Sequence, residues 1–212
     1  MRITEISHAK GTRYRVEVDG EYWAILDAEI LAEFGFQPGV VLTPERMQQA
    51  LQRADRRRAR ERALYLLTNR DHSAGELLEK LAKNVDEDIA LETVVRMQEL
   101  GFINDAEYAK KLAAYLLTVK RFGVYRTKQE MRRKKLADDL IEDAIEETLT
   151  EHDPQEAVRE LIERKYLRNL STLQGRKKVT AALMRLGHSY GDIRAVLEDY
   201  PLPEEEDDGF YE

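Results

Sequence analysis

Apolar and charged positions alternate near the start of the chain. Tyr14, Val16 and Val18 interleave with Arg13, Arg15 and Glu17, Asp19-Gly20 supplies a two-residue turn whose hand matches strand twist, and Glu21-Tyr22-Trp23-Ala24-Ile25-Leu26 returns. This predicts a β-hairpin. Asp27 then caps a short helix through Phe34 that Gly35 stops, and Val40-Val41-Leu42 after Pro38-Gly39 adds a third short strand. Residues 1–43 therefore read as a small α+β module.

From Thr43 onward the period becomes helical. Thr43-Pro44 places a cap before a proline in the first helical position, and no breaker occurs before about Leu67. Such a helix is about 36 Å long at ~1.5 Å per residue. Between Leu51 and Leu64 it has no large apolar residue, which predicts a solvated strut. Beyond it, Ser73 and Glu76 form a capping box before Leu77, Leu78 and Leu81. Asp86 opens a further helix with Ile89, Leu91, Val94, Val95 and Leu100, and Gly101 ends it.

The layout then recurs. An apolar stripe at Tyr108, Leu112, Tyr115, Leu116 and Val119 is followed by a break at Gly123, a basic helix containing Met131, and the pairs Leu140-Ile141 and Ala144-Ile145. Leu81, Leu91, Val94 and Val95 map onto Met131, Ile141, Ala144 and Ile145 at an offset of 50, and onto Leu183, Ile193, Val196 and Leu197 at a further 52. A threefold repeat of three-helix modules follows, each too small to stand alone, with matching breaks at Gly123 and Gly175.

Composition agrees with this picture and narrows the chemistry. The chain has 212 residues, 42% hydrophobic and 35% charged, with 11 glycines and 5 prolines, which favours helices with solvated faces over a sandwich. Cysteine is absent, so disulfide frameworks, thiolate zinc sites and cysteine nucleophiles are excluded. The N-terminal residues lack the apolar core of a secretory signal, and no run approaches the roughly 20 residues of a membrane span. The expected location is cytoplasmic.

No phosphate-binding glycine loop, dinucleotide fingerprint, zinc-protease motif or nucleophile elbow occurs, so no catalytic residue, cofactor or metal is expected. His8, His72, His152 and His188 are isolated and read as solvated capping or turn residues. The acid pairs Asp86/Asp88 and Asp138/Asp139 stand where helices begin, and capping accounts for them.

Net charge is −7, but the last fifteen residues hold eight acids and no Lys or Arg, and removing those eight charges leaves residues 1–197 at +1. Within that body the cations are segregated. The strut carries Arg53, Arg56, Arg57, Arg58, Arg60 and Arg62 against Asp55 and Glu61. A second cluster holds Lys120, Arg121, Arg126, Lys128, Arg132, Arg133, Lys134 and Lys135 against Glu130 alone, a local +7. The third is Arg164, Lys165, Arg168, Arg176, Lys177 and Lys178. Each is a candidate phosphate-binding face, because Lys and Arg neutralise phosphates and release condensed counterions. Tyr125 is placed to stack on exposed bases, whereas Phe122 and Tyr166 read as core anchors.

Ala63-Leu64-Tyr65-Leu66-Leu67, Arg70-Asp71-His72-Ser73 leading to Glu76-Leu77 and Lys80-Leu81, and Gly101-Phe102-Ile103-Asn104-Asp105 with Tyr108-Ala109 resemble the RecX regulatory family. Gly123, Glu130-Met131 and Lys134-Lys135-Leu136 are similar to its second repeat, and Leu186-Gly187-His188 with Ile193 to its third. The resemblance covers about residues 59–198. It implies a mainly α fold of three tandem three-helix repeats in an elongated curved array. It also implies a non-enzymatic protein that binds the RecA filament on single-stranded DNA and modulates, in the direction of inhibition, its ATPase, strand-exchange and coprotease activities in recombination and repair. Double-stranded DNA is a second candidate ligand, no membrane is involved, and a monomer is expected.

By position, the second-cluster helix is the foremost contact surface that the resemblance implies, with the strut arginines next. Lys135 departs from the family pattern, which often has glycine there, so a less sharp turn is expected. The expected divisions are 1–43, a connecting helix 44–62, repeats 63–104, 105–152 and 153–199, and an acidic tail 200–212. The alternatives are a general DNA-binding helical repeat or a helix-turn-helix-like transcription factor. Against the latter, the cations form distributed clusters instead of one recognition helix.

Overall fold

The computed structural model describes residues 1–201, so the acidic residues from Glu204 onward lie outside the described residues. The chain divides into two compact units, one formed by Met1–Asp71 with Glu76–Ile103, the other by His72–Gly75 with the chain from Asn104 onward.

The first unit opens with an antiparallel sheet in the order β1 (Ile3–Lys10), β2 (Arg13–Val18), β3 (Glu21–Asp27). The predicted hairpin is β2–β3, with Val18 opposite Glu21, and Asp19 and Gly20 at φ +52° and +86° give the primed turn that this dipeptide favours. Strand β1 is absent from the sequence reading. Its ITEISHAK carries only Ile3 buried and Ile6 half-buried against the core, too weak an alternation to declare an edge strand. Conversely, Val40-Val41-Leu42 forms no strand: Val41 makes an isolated bridge to Arg2, while Leu42 joins the core. Asp27 precedes α1 (Ala28–Glu33) without a side-chain cap and instead accepts from Thr12 Oγ1 at 3.2 Å.

Helix α2 (Pro44–Asn69) begins as predicted, the Arg46 N–H donating to Thr43 Oγ1 at 3.3 Å. The expectation of a solvated middle is overturned. Ala50, Ala54, Ala59 and Ala63 are all buried, the first two in the sheet's core with Leu26, Ile30 and Phe36. Further along, α2 packs against α4 (Glu87–Glu99), where Ala90 is also buried. Alanine lets backbones approach closely, so a search for large side chains misses the seam. Between these helices in the chain lies α3 (Ala74–Leu81), with Leu77 and Leu81 buried.

The second unit holds α5 (Asp105–Ala114), α6 (Val124–Arg133) and α7 (Asp138–Glu151), then α8 (Pro154–Leu161), α9 (Leu173–Arg185) and α10 (Tyr190–Glu198). One core gathers Ala113, Leu116, Met131, Ile141 and Ile145, and another Val158, Ile162, Val179, Leu183 and Ile193. Both first helices, α5 and α8, end in a π-helical turn, Tyr115–Val119 and Ile162–Tyr166.

Burial corrects the repeat register in one place. Leu81, Met131 and Leu183 are equivalent and buried, but α4 buries Ile89, Ala90, Thr93, Val94 and Met97, while α7 buries Ile141, Ala144, Ile145 and Thr148. After Leu81 the offset to the second module is therefore 51, and Leu91 and Val95, placed in the core by the offset of 50, are 50% and 44% exposed. The added residue is Lys135. It sits at φ +57°, and Gly187 at φ +89° fills the equivalent place in the third module. No residue between Leu81 and α4 has a positive φ. The turn at Lys135 is thus as sharp as a glycine would make it, contrary to expectation, at a cost of about 1–2 kcal/mol for a side chain in that region.

Candidate nucleic-acid interface

The strut arginines are largely committed to carboxylates. Arg53 meets Glu33 at 2.9 Å, Arg56 meets Glu92 at 2.9 Å and Arg58 meets Asp55 at 3.2 Å. Arg57 is shared among Asp27, Glu29 and Glu61. Arg62 lies 5.3 Å from the centre of the Tyr65 ring. Arg60 is exposed without an ion pair among the described residues. These contacts tie α2 to the sheet module and to α4.

The second cluster is offset in the same way. Across space, α7 returns Asp138 to Arg132 at 2.7 Å and Glu142 to Lys128 at 3.0 Å, and α8 returns Glu160 to Arg121 at 2.6 Å. Glu130 serves Arg133 at 3.0 Å and Arg126 at 3.7 Å, and Arg126 also stacks 4.1 Å from the Phe122 ring centre. Lys120 stands 5.4 Å over Tyr115. The Arg132 guanidinium is held above its ordinary pKa by its hydrogen bond to Asp138. Lys134 and Lys135 form the turn that packs on Ser73 and Gly75. The local +7 counted along the chain is therefore much reduced in space. Exposed pairs of this kind are each worth only about 0–1 kcal/mol, but a phosphate would have to displace them.

The third cluster differs. Arg164, Lys165, Arg168, Lys177 and Lys178 are exposed and have no ion pair among the described residues. Arg164 and Lys165 lie in the π turn, Arg168 in the 3-10 turn Leu167–Asn169, and Lys177 and Lys178 in the first turns of α9. The two segments abut, because a Cβ on Gly175 would overlap the Asn169 carbonyl oxygen. Arg176 is drawn inward, donating to the Leu197 carbonyl at 3.5 Å, and its Nε is buried without a partner among the described residues. Of the aromatics, Tyr125 is exposed, whereas Phe122 and Tyr166 pack against the cores as expected.

The sequence reading misses a recurrent joint within the second unit. Ser73 Oγ donates to the Lys134 carbonyl, and a Cβ on Gly75 would lie 2.7 Å from Lys135 Cβ. At the equivalent positions of the next pair, the Gly123 N–H donates to the Leu186 carbonyl at 2.9 Å and the Tyr125 N–H to the Gly187 carbonyl at 3.2 Å. In both joints a carbonyl of one module's turn accepts from the helix start of the module before it, from the Ser73 hydroxyl in the first and from backbone N–H groups in the second. At α3, Asp105 adds a bond from the Ala74 N–H at 2.9 Å, and burial raises its pKa.

Two histidines belong to these joints, which corrects their reading as solvated. His72 and His188 are buried, while His8 and His152 are exposed. His188 Nε2 donates to the Arg121 carbonyl at 3.1 Å, and burial pushes its pKa down despite the nearby Asp192. With the folded value below the unfolded value of about 6.5, the unfolded chain takes up the proton first. Its contribution to stability is therefore intact above that value and lost as pH falls through the folded value. Denaturant midpoints between pH 7.5 and 5.5 should fall more for the wild type than for His188→Gln, which keeps a donor toward Arg121.

Among the described residues no group of three His, Asp or Glu could hold a metal, and no helix is long and apolar enough to cross a membrane. Three successive three-helix modules behind a small sheet define a helical-repeat protein. Family models of the first, second and third three-helix domains of RecX match residues 59–97, 104–145 and 151–197. The regulatory protein RecX of Trichlorobacter lovleyi is 31% identical over 140 residues, covering 64% of this chain and 91% of that protein. That of Listeria welshimeri is 26% identical over 193 residues, covering 89% and 72%. A crystal structure of regulatory protein RecX superposes with a TM-score of 0.64 at 19% identity, covering 93% of this chain and 98% of that one. The chain belongs to the RecX family of regulatory proteins.

Proposed function

We propose that this protein binds the RecA filament on single-stranded DNA and restrains its ATPase, strand-exchange and coprotease activities without catalysing a reaction itself. The observation that carries the reading is the match of all three helical modules to a family of regulators. In this reading the DNA-facing surface is the third cluster, Arg164, Lys165, Arg168, Lys177 and Lys178, because its charges are exposed and uncompensated among the described residues. Most strut and second-cluster cations, already engaged by carboxylates, serve chiefly to hold the modules, with Tyr125 available to stack on a base. The sheet module, the connecting helix and three repeats, divided as the sequence suggests, act as one binding chain.

The test is the single-stranded-DNA-dependent ATPase of the cognate RecA, titrated with this protein beside its binding to bare single-stranded DNA at the same salt. Inhibition at concentrations well below those that coat bare DNA is expected. An ATPase that falls only as the DNA saturates would reduce the protein to a general single-strand binder.

A further inference from the structure

With the register corrected, the outward faces of the three third helices can be compared position by position. The residues equivalent to Leu91 and Val95 of α4 are Glu142 and Glu146 in α7, and Arg194 and Glu198 in α10. In the other two modules this face is charged and behaves as a solvated surface, Glu142 meeting Lys128 at 3.0 Å and Arg194 meeting Glu198 at 3.5 Å. In the first module alone it presents leucine and valine one turn apart, 50% and 44% exposed. Their helix needs neither for its packing, because Ile89, Ala90, Thr93, Val94 and Met97 already fill its buried side.

The rim of this stripe is acidic. Glu87 and Asp88 lie one turn before Leu91, exposed and without an ion pair among the described residues, and Glu92 and Glu99 flank it on the same helix. Arg56 balances Glu92 at 2.9 Å and Arg96 balances Glu99 at 2.8 Å, so the uncompensated negative charge of the rim is that of Glu87 and Asp88. Such a surface is unsuited to nucleic acid, whose phosphates it repels. It suits a protein segment that offers an apolar side chain ringed by Lys or Arg, since an apolar anchor inside a charged rim is the usual anatomy of a protein contact.

We propose that the Leu91–Val95 stripe of α4 is the docking surface for the recombinase subunit, which presents a basic-flanked apolar segment to it. The assignment rests on the RecA reading above and separates two contacts by chemistry: protein on the first module, DNA on the third.

The test uses the full chain with Leu91→Arg and Val95→Glu together, copying the pair that the third module carries at these positions, so that net charge and helix compatibility are preserved. Circular dichroism and denaturant midpoint serve as the folding check. Binding is measured to bare single-stranded DNA and to RecA filaments assembled with a slowly hydrolysed ATP analogue. The expected result is filament affinity weakened at least about tenfold with bare-DNA affinity unchanged, two apolar anchors of this kind being worth that or more. A second variant, Glu87→Gln with Asp88→Asn, should weaken filament binding about two- to fivefold and lessen its salt dependence, as a charged rim does. Unchanged filament binding in both variants would overturn the docking surface. So would a wild-type dimer, seen by sedimentation, that the first variant dissolves, because a second copy of the chain would then be the occupant. Wild-type protein that binds filaments no better than bare DNA would instead overturn the RecA reading itself.

Discussion

Replacing Arg164, Lys165, Arg168, Lys177 and Lys178 by glutamine should flatten the salt dependence of single-stranded DNA binding, measured by fluorescence anisotropy from about 50 to 200 mM salt. Every phosphate that is no longer neutralised lowers the slope of log K against log salt by about 0.7 for a single strand, so five of them correspond to about 3.5. The informative control is a second set of five, Arg121, Arg126, Lys128, Arg132 and Arg133, each already facing Glu160, Glu130, Glu142 or Asp138. It removes the same net charge, so long-range repulsion changes equally in both variants. The slope of the control should move by less than about 1. Equal flattening by the two sets would mean that the carboxylates are displaced without cost and that pairing does not decide which cations meet DNA.

The second large effect is expected at a glycine. A Cβ on Gly123 would overlap the Gly187 carbonyl group and the His188 nitrogen, all of them backbone atoms that no rotamer change can move aside. Gly123→Ala should therefore force the joint open, costing the bonds from the Gly123 and Tyr125 N–H groups as well as the packing. A decrease of about 3 kcal/mol or more is expected in urea denaturation. Gly101→Ala calibrates it. Gly101 has φ +75° but nothing within 4 Å of the added carbon, so only the backbone conformation is penalised, at about 1–2 kcal/mol. If the two variants are equally destabilised, the Gly123–Gly187 approach adds nothing to the fold.

Much of this architecture is legible in the chain because it depends on local signals. The Asp19-Gly20 turn, the Thr43-Pro44 start of α2 and the Gly101 stop each follow from residues in their own turn, and the structure places them as read. What escapes is set by distant partners. Edge strand β1 is defined by its pairing with β2, not by its own weak alternation. The alanine seam of α2 becomes apolar core only when the sheet and α4 pack against it. The cation clusters illustrate the same limit for function: a count along the chain gives the second cluster +7, but it cannot see that α7 folds its acids back onto α6. Leu91 and Val95 are misplaced for a subtler reason, one extra residue in a left-handed turn at Lys135, which shifts the comparison of one module with the next. The family resemblance reaches further than periodicity alone, since Leu186-Gly187-His188 stands out as a motif although only the structure reveals its place in the joint.

The start of α9 is where the recurrent joint stops. Gly175, the position that matches Gly123, lies within α9, the Thr172 hydroxyl accepts its N–H at 3.1 Å, and the Asn169 carbonyl occupies the space that a following turn would fill. At the opposite end of the series, the turn after Leu81 lacks the left-handed residue that Lys135 and Gly187 supply. The joint that links successive modules is therefore built from a helix start that the third module does not reproduce and a turn that the first does not.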